Sequence, residues 1–183
     1  MRTLAELEAA IDGIRDAPSG FGVVSLLVRR PAVDEREVVG EAFLDVVEGL
    51  VGDTWRRRGS VATPDGSADP WAQVTVMNAR AAAAVAGDIA RWPLAGDQIY
   101  VDFDISIEHL PPGTMVSIGD AEIEVSAKPH TGCRKFSARF GTEALRFVST
   151  EEGRALRLRG MNARVVRSGI VRVGDQISVR TRP

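Results

Sequence analysis

The chain has 183 residues, 44% hydrophobic and 26% charged, with a formal net charge of -2; that suffices for one domain with a substantial core and is too short for two. Near-neutral charge gives no bulk argument for nucleic-acid or membrane-surface binding, no apolar run approaches the roughly 18–20 residues of a membrane span, and a single cysteine excludes an intramolecular disulfide. With Glu6, Glu8 and Asp12 interrupting the N-terminal apolar pattern that a secretory signal would need, the expectation is a soluble cytoplasmic protein.

Leu4, Leu7, Ile11 and Ile14 recur at helical spacing, and Thr3 with Glu6 matches a capping box, so the spacing predicts a short amphipathic helix ended by Pro18-Ser19-Gly20. Gly22 to Arg29 is apolar and β-branched and reads as a strand, and Val38 to Val47 as a second extended segment interrupted at Gly40. Gly59 to Pro70 has loop composition. Gln73 to Met77 reads as a strand, after which Asn78 is placed to cap an alanine-rich helix, Ala79 to Ala86, ended by Gly87. Gly96-Asp97, Gly119-Asp120 and Gly174-Asp175 each precede alternating apolar residues, the pattern of a strand entering a half-buried sheet from a tight turn. Met115 to Ile118 follows another turn, Leu110-Pro111-Pro112-Gly113. Such short strands predict a β-barrel or sandwich. Helical spacing returns at Phe136, Phe140, Leu145 and Val148, with a break at Gly141-Thr142, and again over Glu151 to Leu158; Met161 to Val166 and Val171 to Val179 read as closing strands.

The one cysteine, Cys133, lies in Lys128-Pro129-His130-Thr131-Gly132-Cys133-Arg134-Lys135, which also holds both lysines of the chain and one of its two histidines. Cationic neighbours favour the thiolate form of a thiol, the form that attacks electrophiles, carries sulfur or binds a soft metal. A buried, inert thiol is the alternative, but proline, glycine and charged flanks are not those of a core strand. Hydrolase chemistry would need a partner base; His130 is three residues away, His109 is remote, and no cysteine-protease signature surrounds the thiol. One cysteine and two histidines are too few for a zinc site. Lys128, Arg134, Lys135 and Arg139 are candidates for an anion pocket beside the thiol, or else a solvated helix face. Arg56 belongs to a second basic cluster, Arg56-Arg57-Arg58, of which at most two side chains can face one ligand. Asn78 is a helix cap or a ligand contact, and Trp71 and Trp92 read as packing residues. No GxGxxG or P-loop motif is present.

Leu110-Pro111-Pro112-Gly113-Thr114, Ile118-Gly119-Asp120, Pro129-His130-Thr131-Gly132-Cys133 with Phe136 to Gly141, and Gly160 to Val166 followed by Val171 to Asp175 occur in an order that resembles the MOSC domain, named for the C-terminal domain of molybdenum cofactor sulfurase. The resemblance runs from about Gly22 onward, which assigns 1–20 to an N-terminal helical extension and 21–183 to the domain. It implies a mainly β (α+β) fold, a MOSC-type β-barrel with an N-terminal helix and short helices inserted after the cysteine loop. It also implies a family cysteine at Cys133 that ligates the molybdenum of a molybdopterin cofactor, in a site that reduces N-hydroxylated substrates, or that carries persulfide sulfur to a partner without metal. On this reading Lys128, His130, Arg134, Lys135, Arg139, Arg56 and Asn78 are candidate cofactor contacts. The partners are a small-molecule substrate, or a protein that gives or takes sulfur, with separate electron-transfer proteins for a reductase. Pyridoxal phosphate is not expected. Where many members carry Gly-Glu-Asn, this chain has Gly96-Asp97-Gln98-Ile99.

Overall fold

A computed structural model describes residues 1–183. In chain order the strands are β1 (Phe21–Arg29), β2 (Glu37–Val39), β3 (Glu41–Asp45), β4 (Gly49–Leu50), β5 (Val74–Asn78), β6 (Ile99–Asp102), β7 (Met115–Ile118), β8 (Ala121–Val125), β9 (Met161–Arg167), β10 (Gly169–Arg172) and β11 (Gln176–Thr181). The helices are α1 (Leu4–Glu8), α2 (Ile11–Arg15), α3 (Trp55–Arg58), α4 (Ala79–Ala86), α5 (Arg134–Phe140), α6 (Thr142–Ser149) and α7 (Glu151–Ala155).

Seven strands close into a barrel in the order β11-β7-β8-β9-β5-β6-β1, because β1 pairs with β6 along one part and with β11 along another, Phe21 opposite Ser178. β2 extends the sheet from β1. Every barrel pairing is antiparallel except β5 with β6, and a parallel pair needs a crossover connection. Here α4 and the 3-10 turn Ile89–Ala95 supply it.

The alternation along the strands follows from what covers each face. On β7 and β8 buried and partly exposed residues alternate, with Glu122 and Glu124 pointing out. On β5 every residue is buried. Val74, Val76, Ile99 and Val101 fill the barrel, while Met77 and Tyr100 on the other face join a second core with Leu7, Ile14, α4 and the phenylalanines of α5 and α6. The barrel-and-helix fold is therefore that expected from the sequence.

Three segments differ in detail. The N-terminal helix is two single turns, α1 and α2, each burying one anchor, Leu7 and Ile14; the Thr3–Glu6 capping box is present. Val38 to Val47 divides at Gly40 into β2 on the barrel and β3 in a separate three-stranded sheet, β10-β3-β4. Val171 to Val179 divides likewise into β10 and β11. The two divisions have one cause: β3 and β10 pair with each other, Ala42 opposite Val171. Ala42, Leu44, Leu50 and Val171 join the barrel core, covering apolar side chains that a simple barrel would leave exposed.

Candidate functional site

The segment from Ser126 to Cys133 leaves β8 and ends as the N-cap of α5. It is held from both ends. Ser126 N donates to Asn162 O, and the Asn162 side-chain amide donates to the carbonyls of Lys128 (3.2 Å) and Pro129 (3.3 Å). Downstream, Phe136 and Phe140 are buried in the outer core and fix α5. Gly132 lies against α6, where a Cβ would stand 2.5 Å from Leu145 Cδ1, so a larger residue before the cysteine would have to displace that side chain. Cys133 is exposed and is not used as a side-chain cap.

One side of this segment forms the wall of a cavity of about 680 Å³ whose lining includes Lys128, His130, Gly132, Arg154, Arg157 and Arg159. Such a volume falls in the ordinary range for small-molecule sites, about 300–1,000 Å³. Cys133 follows the wall but is not part of the lining. Arg157 has a positive φ of 50°, a conformation costly for a residue with a Cβ. Its Nη1 donates to the carbonyls of Ile105 (3.2 Å) and Leu110 (2.8 Å), with no carboxylate partner, and burial brings its pKa down to about 10. A half-buried guanidinium bonded only to neutral acceptors, these two carbonyls and the Met161 sulfur, keeps its charge for an anion.

Beneath the wall lies a buried ionic group. Asp97 is fully buried; its Oδ2 accepts from Arg159 Nη1 at 2.5 Å, and its Oδ1 is 3.3 Å from His130 Nδ1. Arg159 also donates to Ala95 O (2.8 Å) and stacks 5.1 Å over Phe136. His130 is pushed down to about pKa 4, chiefly by burial and then by Arg159, with Asp97 acting in the opposite direction and Arg30 adding to the depression. The ring is therefore neutral at pH 7. Gly160, at φ 99°, closes over this pair: a Cβ there would meet Val76 O at 2.7 Å and both His130 Nδ1 and Asp97 Oδ1 at 3.2 Å. A further buried pair stands behind it. Arg30 makes a two-point contact with Asp53 (2.7 and 2.9 Å) and donates to Gly96 O, which fixes the approach to Asp97.

The structure brings Lys128 and His130 into the cavity and sets Cys133 at its edge. The other candidates lie elsewhere. Arg134 is exposed beside the thiol. Lys135 (3.0 Å) and Arg139 (3.1 Å) both hold Asp34, whose carboxyl is lowered by the Lys135 hydrogen bond, and Lys128 is paired with Asp69. The cations around the thiol are thus largely matched by acids brought from distant loops. Arg56, on α3, pairs with Glu48, and Asn78 is spent within the fold: its Oδ1 caps α4 through Arg80 N and Ala81 N, and its Nδ2 donates to Phe103 O. Asp97, Arg157, Arg159 and Asn162 were not among the sequence candidates: Gly96-Asp97 reads as one of three alike turns that lead into strands, and no local pattern marks the other three. Gln98 is likewise buried, accepting from Thr75 N at 2.9 Å.

The thiol thus stands at the lip of a cationic cavity, carried on a loop between a β-barrel and its flanking helices. The MOSC domain model matches residues 64–178, more than half of the chain, and the protein belongs to that family. Among solved structures, the YuaD protein of Bacillus subtilis is similar with a TM-score of 0.68 at 14% identity, over 89% of this chain and 97% of that one. YiiM from Escherichia coli gives 0.58 at 16% identity over 88% and 71%, and YiiM from Geobacillus stearothermophilus 0.55 at 11% over 88% and 74%. At such identities the likeness concerns the fold. No curated protein matches the chain by sequence. No helix is long and apolar enough to cross a membrane.

Proposed function

We propose that this is a cytoplasmic MOSC-domain protein that binds molybdenum cofactor, with Cys133 as thiolate ligand and reduction of N-hydroxylated compounds as the reaction. The observation that carries the reading is the cavity itself: the loop that ends in Cys133 forms its wall, and Arg157 enters it without an acidic partner. The residues fit the group in three respects. The thiol is exposed, the volume accommodates a pterin-sized molecule, and Arg154 and Arg157, neither paired with an acid, supply positive charge for a phosphate. No cluster of three or more His, Cys, Asp or Glu side chains could hold a metal without further ligands, so most of the metal's coordination would come from the cofactor's own atoms, with one soft thiolate from the protein. When bound, the cofactor supplies two-electron redox chemistry; electrons would arrive from separate transfer proteins. Asp97 and Gln98 are buried, with Asp97 Oδ2 held by Arg159 and Gln98 Oε1 by Thr75, and neither lines the cavity, which leaves contacts with the pterin to the 126–132 segment and the arginines of the opposite wall. Of the sequence candidates, Lys128 and His130 would line the site, Arg134 would attract anions to its mouth, and Lys135 and Arg139 would hold the neighbouring loop through Asp34.

The experiment is to express the protein in a host replete with the cofactor and to assay the purified chain for molybdenum and released pterin together. The reading requires both; absence of both overturns it. One observation favours a second reading, sulfur carriage. Cys133 is exposed and outside the cavity lining, where a partner protein can reach it. A reducible gain of one sulfur on intact protein, absent from Cys133→Ser, would support that reading.

A further inference from the structure

His130 and Asp97 form a unit with a direction. Asp97 is fully buried, and its Oδ2 is taken by Arg159, which leaves Oδ1 facing His130 Nδ1 at 3.3 Å. Nδ1 and Asp97 Oδ1 are both buried and neither makes a hydrogen bond, so each is the other's nearest polar neighbour, whereas Nε2 is neither buried without a partner nor bonded to any protein group, in a ring that lines the cavity. Nε2 is therefore the nitrogen that a ligand meets. A neutral imidazole carries one proton, and the charge facing one nitrogen decides which of the two holds it. Placing the lone pair of Nδ1 against a buried carboxylate oxygen is repulsive, so the proton resides on Nδ1 and Nε2 presents a lone pair. The charged groups acting on the ring are Asp97, Arg159 and Arg30, and with burial they keep it neutral at pH 7.

We propose that His130, held as its Nδ1–H tautomer by Asp97, is a fixed hydrogen-bond acceptor in the cavity wall, and that the site selects an oxyanion that keeps an O–H or N–H donor. The arginines attract the charge and Nε2 takes the proton-bearing edge. Hydrogenphosphate and phosphate esters with a neighbouring donor share this chemistry. Sulfate has the same size and geometry but no proton at pH 7, and would set an oxygen lone pair against that of Nε2. A buried polar group left unpaired by the wrong ligand gives strong discrimination. The inference does not depend on Cys133 holding metal.

The test uses the full chain labelled with 15N-histidine. With only two histidines, His130 is assigned by its loss in His130→Gln. Free protein at pH 7 should show the Nδ1–H tautomer. Titration with inorganic phosphate should then shift the Nε2 signal at a concentration at least about tenfold lower than sulfate requires, at equal ionic strength. In His130→Gln, whose amide both donates and accepts, calorimetric titration should find the two anions bound about equally. Asp97→Asn, if it folds, should move the proton to Nε2 and reverse the preference toward sulfate. An Nε2–H tautomer or rapidly exchanging mixture in the wild type would overturn the proposal. So would equal affinity for the two anions, absence of any shift with either, or a preference that survives in His130→Gln. A chain that shows the phosphate preference but carries no molybdenum would sink the cofactor reading and leave this one standing.

Discussion

Lowering the pH from 7 to 5 should destabilise the native protein through His130, and the size of the effect follows from its surroundings. In the fold the imidazole pKa is depressed to about 4, against 6.5 for the free side chain. Between those values the unfolded chain binds a proton that the native chain does not, so stability rises with pH across the window. The contribution is fully present above the unfolded value and is lost as pH falls through 6.5 towards about 4. At 1.36 kcal/mol per pKa unit the complete loss is about 3 kcal/mol, of which about 2 kcal/mol is gone by pH 5. Urea unfolding of the wild type and of His130→Gln at pH 7 and pH 5 isolates the contribution, because carboxylates common to both cancel. The wild type should lose about 2 kcal/mol more than the variant between the two pH values. Equal losses would mean that the ring is not held neutral, and the reasoning about burial beside Arg159 would fail.

Other perturbations separate the framework from the thiol. Asp53→Ala removes the acid from a buried two-point pair and leaves Arg30 uncompensated, which should cost about 3–5 kcal/mol in denaturant unfolding. Gly160→Ala meets a carbonyl at 2.7 Å in a left-handed backbone conformation; a loss of at least about 1–3 kcal/mol is expected, and 15N-histidine spectra should show His130 displaced. Cys133→Ser, at an exposed position, should change stability by no more than about 0.5 kcal/mol, while native wild-type protein should be fully alkylated by a small thiol reagent.

Local signals were legible where the chain's own chemistry decides the outcome. Asn78 and Gly87 bracket α4 because a side-chain acceptor at one end and a φ of 73° at the other suffice to start and stop a helix. The barrel could be read from repeated turns and alternation, and the cysteine loop from its composition together with the family resemblance. What escaped notice depends on residues far apart in the chain. The three Gly-Asp turns look alike in sequence, yet Asp120 is exposed, Asp175 accepts from Arg172 N within its own turn, and Asp97 is buried against Arg159, 62 residues on. The lysines flanking Cys133 read as unneutralised, and their acids, Asp69 and Asp34, come from loops 59 and 101 residues away. The division of Val38 to Val47 and of Val171 to Val179 is set by the pairing of β3 with β10 and has no local marker beyond Gly40 and the Gly174-Asp175 turn.

The most direct test of the central claim is the molybdenum content of wild type and Cys133→Ser, purified side by side from a cofactor-replete host and normalised to folded protein. The account predicts molybdenum in the wild type, approaching one atom per chain, and little or none in the variant. Equal molybdenum in the two, or none in either, would contradict it.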